Sequence, residues 1–142
     1  MTIQRVVAWG LVAASAFSLG CGDGRPERVP VSGTVKIDGV PLTRGVINLV
    51  PSSGRRATGD IDEQGRFSVF TYERGDGAPL GTHKVEVSSR EGLSETQTRW
   101  HTPQKYASHK TSGIEVEITE PTDNLAIELT WDGGKPFIQT DK

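Results

Sequence analysis

The sequence predicts an all-β fold, a seven-stranded antiparallel β-sandwich preceded by an N-terminal signal peptide. Three observations carry that expectation. Short apolar runs alternate with polar residues at a period of two, no helical period is sustained after residue 29, and Gly-rich or Pro-containing breaks separate the runs. Of 142 residues only 34% are hydrophobic while 17 are glycine, which suits a thin core bounded by many turns.

Arg5 is the only charge before Asp23, and residues 6–19 (VVAWGLVAASAFSL) carry none. A helix of that length would cover about 21 Å, short of a bilayer core of roughly 30 Å, so residues 1–20 read as a signal peptide and not a resident membrane span. Ser18-Leu19-Gly20-Cys21 then sets a small residue directly before the only cysteine. This stretch resembles the lipobox of bacterial lipoproteins. The resemblance implies cleavage before Cys21, acylation of its thiol, and anchorage to a membrane of the cell envelope, facing the periplasm or the exterior. The alternative is plain secretion, with cleavage after Ala16 or Gly20. A lone thiol in an exported chain has no disulfide partner, which favours lipidation. Residues 21–29 follow as a short polar tether. Loss of residues 1–20 removes one Arg and leaves 15 bases against 18 acids, a net charge of −3. No basic domain of the kind a nucleic-acid partner requires is present.

The domain proper is expected at residues 30–131. In residues 31–37, Val31, Gly33, Val35 and Ile37 share one face and Ser32, Thr34 and Lys36 the other, as in a half-buried strand. Asp38-Gly39 has the chemistry of a tight turn. Residues 45–50 (GVINLV) are apolar apart from Asn48 and read as a strand covered on both faces. Residues 57–61 and 66–70 read as a hairpin around Asp62-Glu63-Gln64-Gly65, with Ile61, Phe67 and Val69 inward. Asp60-x-Asp62-x-Gln64-Gly65 also copies half of a calcium loop, but Thr71 stands where that loop needs a bidentate Glu. His83, Val85 and Val87 alternate with Thr82, Lys84 and Glu86, so His83 reads as a packed strand residue. Residues 90–113 show no sustained period, and the segment is long for a connection. Residues 114–119 and 124–131 alternate most cleanly and read as a last hairpin. Residues 132–142 are expected to form a loose tail.

Val31-Ser32-Gly33-Thr34-Val35 with Asp38-Gly39-x-Pro41-Leu42, then Asp62-x-x-Gly65-x-Phe67, then Gly75-Asp76-Gly77-Ala78-Pro79-x-Gly81-Thr82-x-Lys84-Val85, resemble the carboxypeptidase regulatory-like domain. That domain is a transthyretin-like β-sandwich of short bacterial lipoproteins. Pro103-x-Lys105-Tyr106 and Thr111-Ser112-Gly113 are similar to the segment such lipoproteins carry before their last two strands. The resemblance implies an accessory envelope module and no peptidase activity. Pattern alone leaves transthyretin-like and immunoglobulin-like strand orders unseparated.

A hydrolase needs a nucleophile held beside a base, and neither a Gly-x-Ser-x-Gly elbow nor a phosphate-cradling Gly loop occurs. His101 and His109 lie eight apart, without the close pairing of a metal site, so neither a metal nor a cofactor is expected. The reading is therefore a non-catalytic envelope lipoprotein that binds or spaces other envelope components, with an envelope protein or a carbohydrate as partner. The alternative is a carbohydrate-binding module in which Trp100, His101 and Tyr106 of the 90–113 segment contact sugar, the aromatics stacking on its rings. The same segment could instead lie as a flap on the acidic residues 114–132.

Overall fold

The computed structural model describes Gly22 and residues 24–142, so the expected signal peptide and Cys21 lie outside the described residues. The fold is all-β: half of the chain is strand, distributed over several sheets, and a 3-10 turn at Gln104–Ala107 is the one helical element among the described residues.

One four-stranded sheet is built on β2 (Val31–Ile37), whose alternation is as expected: Val31, Gly33 and Val35 are buried, with polar residues half-buried between them. Asp38 and Gly39 both take positive φ, 48° and 79°, and close a two-residue turn into β3 (Val40–Pro41). Further along the same side of β2 lies β6 (Arg66–Ser68), antiparallel to it. On its other side runs β12 (Thr122–Leu129), and this pair is parallel, with Leu125 level with Gly33 and Leu129 with Ile37. The expectation of a wholly antiparallel fold is corrected here. Period-two alternation reports which face of a strand is buried and says nothing about its neighbour's direction. Gly33 is required at this point, because a Cβ there would fall on the backbone carbonyl of Leu125.

The second four-stranded sheet has the order β11 (Glu115–Ile118), β8 (Gly81–Ser88), β4 (Gly45–Pro51), β5 (Ala57–Ile61), all antiparallel. The last two apolar runs are therefore not a hairpin. Glu120 and Pro121 carry the chain from one sheet to the other, and β11 and β12 offer their apolar faces to the same core from opposite sides. Residues 57–61 and 66–70 divide only in part, since Thr58 and Phe70 bridge the two runs antiparallel with reciprocal backbone hydrogen bonds of 2.9 Å, as the expected hairpin requires. The turn forms as read, with Asp62 Oδ1 accepting from the backbone N–H of Gln64 and Arg66 at 2.9 Å each, but β5 pairs with β4 and β6 with β2. In β4, Ile47 and Leu49 point inward while Val46 is exposed, so the strand is not covered on both faces.

One core unites the two sheets. Val31, Val35, Phe67, Ile127 and Leu129 from the first meet Ile47, Leu49, Ile61, Val85, Val87 and Ile118 from the second. Among the described residues, all its members lie between Val29 and Leu129. His83 is fully buried in this layer, its Nε2 2.7 Å from the Pro79 carbonyl oxygen, as its phase on β8 requires.

Two small sheets attach the ends of the domain. Arg28–Val29, the end of the supposed tether, forms β1 and pairs with β7 (Ala78–Pro79). The fold thus captures the chain two residues earlier than expected. Residues 90–113 are not strandless either: β9 (Arg90–Gly92) and β10 (Gln97–Trp100) pair with each other, and β13 (Phe137–Thr140) of the C-terminal tail pairs with β10. Neither segment shows a sequence period because this three-stranded sheet contributes little to the main core.

Candidate functional site

The most heavily constrained polar cluster sits on the outer face of the second sheet, centred on Glu86. Its phase on β8 is outward, yet the residue is only 8% exposed. Asn48, its cross-strand neighbour on β4, donates from Nδ2 to Oε2 at 3.0 Å. Arg56 donates to the same oxygen at 3.3 Å. From above, the turn after Gln104–Ala107 delivers His109, whose backbone N–H and Nδ1 reach Oε1 at 3.1 and 2.8 Å. An ionised carboxylate only accepts, so Nδ1 is the donor in this contact. Burial works against the Glu86 charge. The His109 side-chain and backbone donors, with Asn48 and Arg56, outweigh it and hold the carboxyl below its usual range.

A cavity of about 450 Å³ opens beside this cluster, lined by Val50, Ser52, Thr82, Lys84, His109 and Glu115 among others. An acid–histidine pair facing a cavity with a serine invites a hydrolytic reading. That chemistry also needs a nucleophile hydrogen-bonded to the imidazole, and no hydrogen bond joins Ser52 to His109 among the described residues. What the arrangement does physically is clasp. Two hydrogen bonds from His109 fasten residues 104–110 onto the sheet through one buried charge, which Asn48 and Arg56 hold in place. The sequence signal for it is faint, a single Asn48 in an otherwise apolar run.

The aromatics expected to bind ligand are placed differently. Tyr106 is 4% exposed and belongs to the main core, and its hydroxyl bridges the Thr130 N–H at 3.1 Å and the Thr130 carbonyl at 3.3 Å. Trp100 is 8% exposed and lies outside that core, stacked on Phe137 with ring centroids 6.4 Å apart and planes 11° from parallel. Its Nε1 donates to Gln139 Oε1 at 3.0 Å, an oxygen that also accepts from Gln104 at 2.6 Å. His101 turns to Glu91, Nε2 to Oε2 at 3.3 Å, and Arg44 reaches the same oxygen at 3.2 Å. The three residues are thus not brought to one surface. The open face that the alternative carbohydrate reading requires of Trp100 and Tyr106 is not formed: the C-terminal tail covers one ring and the core absorbs the other. Residues 90–113 pack as a flap, and Lys105 fixes it to Asp132 at 2.6 Å.

His83-x-x-Glu86 has the spacing of half a zinc-peptidase motif, but on a strand an offset of three sends the two residues to opposite faces, one into the core and one outward. No group of three His, Cys, Asp or Glu side chains that could hold a metal ion occurs among the described residues. Compared with known proteins, the chain matches no family model, no curated protein and no solved structure.

Proposed function

We propose that this chain is a non-catalytic envelope lipoprotein, anchored through Cys21, whose β-sandwich of carboxypeptidase regulatory-like type binds or spaces other envelope components. The observation that supports it most directly is where the fold takes up the chain. Arg28–Val29 is already a strand, so only six residues separate Cys21 from ordered structure, too few for anything but a close tether to a membrane. The hydrogen-bonding of the polar clusters supports a binding or spacing role: Glu86, His109, Trp100 and Tyr106 are all engaged in holding the fold together.

Cys21→Ala tests the anchor. The wild-type protein is expected in the membrane fraction, with a Cys21 peptide bearing the mass of its acyl chains. The variant is expected in the soluble envelope fraction or as uncleaved precursor. Normal cleavage, no lipid mass and unchanged membrane retention would refute the proposal. Two or more acyl chains, at about 0.8 kcal/mol per buried methylene, make retention effectively permanent, so the two outcomes are well separated.

A further inference from the structure

The arginines nearest the anchor gather on one face. The ring of Tyr72 has three guanidinium groups over it: Arg25 at 4.5 Å, Arg28 at 4.9 Å and Arg55 at 5.4 Å from the centroid. Phe70, two residues earlier, carries Arg74 at 5.6 Å. Phe70 and Arg55 also line a cavity of about 480 Å³ with Asn48, Arg56 and Thr58. Arginine side chains converge here from three separate parts of the chain, residues 25–28, 55–56 and 74.

Asp76 and Glu86 on this face are held by internal donors and Asp62 pairs with Arg66, while the exposed Asp60 lines a cavity with Phe70 and Arg74. Asp76 accepts the backbone N–H of Thr71, Tyr72 and Glu73, at 2.7, 3.0 and 3.2 Å, and pairs with Arg28 at 3.2 Å. Glu73 lies 4.0 Å from Arg25, and Glu86 takes Arg56. Arg55 and Arg74 have no carboxylate partner among the described residues; each is held over an aromatic ring and presents its outward donors to solvent. Such a guanidinium is held in place at low entropic cost and keeps hydrogen-bonding capacity for an oxyanion.

We propose that this face docks on anionic phospholipid headgroups, with Arg55 and Arg74 engaging lipid phosphates and Phe70 and Tyr72 lying at headgroup level. Its orientation rests on the anchoring reading above. Arg25 is four residues after Cys21, a reach of at most ~14 Å, and Arg25 touches the same ring as Arg55. A lipid on Cys21 therefore brings this face to within the short range over which an anionic leaflet attracts arginine. The amphipathic Tyr72 suits the membrane–water boundary. Anchor and arginines together orient the domain, which one flexible tether alone does not.

The test uses non-acylated protein comprising residues 22–142, which include every core residue among the described ones, so that a failed anchor and a failed docking face give different results. Flotation with phosphatidylcholine vesicles containing about a third phosphatidylglycerol should carry the protein upward at low salt. Pure phosphatidylcholine should not, and raising the salt should release it. Arg55→Gln with Arg74→Gln should lower the partition coefficient roughly 30-fold, at about 1 kcal/mol per arginine near the surface. Lys135→Gln with Lys142→Gln, an equal charge change in the tail, should leave partitioning unchanged. The proposal is overturned if anionic vesicles carry no protein, if the lysine pair matters as much as the arginine pair, or if inorganic phosphate at constant ionic strength displaces the protein. That last result would make the face a site for free phosphate.

Discussion

A carboxylate on the outward phase of a strand ordinarily stays in water, and Glu86 does not because a second segment of chain closes over it. Its charge is tolerated because every exposed lone pair is answered by a donor. Glu86→Gln should cost about 1.5 to 3 kcal/mol near neutral pH, the range for hydrogen bonds to a charged group. The acid response follows from the same geometry. The folded-state carboxyl titrates below its unfolded value, so its contribution is complete above the unfolded pKa and is lost as pH falls through the lower, folded one. Denaturant midpoints taken from pH 7 downward should fall below about pH 4.5 in the wild type and fall less steeply in Glu86→Gln. Parallel curves would mean that the charge is not what holds the clasp. Asp76, held low by three backbone donors and Arg28 despite its burial, adds a slope of the same sign that survives in the variant. His83 was legible in the sequence from its phase on β8. Glu86 was not, because the covering turn comes from residue 109, and a strand period carries no information about what lies above it.

The alternating strands fix which side chains are interior, and this is the part of the fold most open to reading in advance. Leu129 and Ile127 are buried and Glu128 exposed, as the alternation requires. Leu129→Ala should lower stability by about 2 to 5 kcal/mol and Glu128→Ala by no more than about 0.5, with urea midpoints as the measure. Pairing was harder to foresee. β11 and β12 look like a hairpin because both alternate and only three residues join them, but pairing is decided by which neighbour completes each sheet. The three-stranded sheet was the least legible, since Trp100 is covered by a tail with no period of its own. Trp100→Ala should lower the unfolding midpoint by an amount near 3 kcal/mol, the low end for a large aromatic because Phe137 is itself part-exposed. Phe137→Ala should cost about 1 kcal/mol and raise quenching of tryptophan fluorescence by acrylamide. Unchanged quenching would mean that the stack does not shield Trp100.

At the scale of the whole molecule, the described residues form one core, with a small sheet at the N-terminal strand β1 and another at the C-terminal strand β13. The first long strand of the core, β2, and its last, β12, lie side by side and run in the same direction. Tension applied between the first and last residues of the core therefore pulls these two neighbours in opposite senses along their length. The load is shared by the whole ladder at once, in shear, whereas an antiparallel pair with adjacent loaded ends would open one hydrogen bond at a time. In a single-molecule stretching experiment, β13 and the two-residue β1 should peel away at low force, followed by one high-force rupture as β2 and β12 separate. On the anchoring proposed above, a domain tethered at one end and gripped by a partner at the other resists extension along the line that joins the two grips.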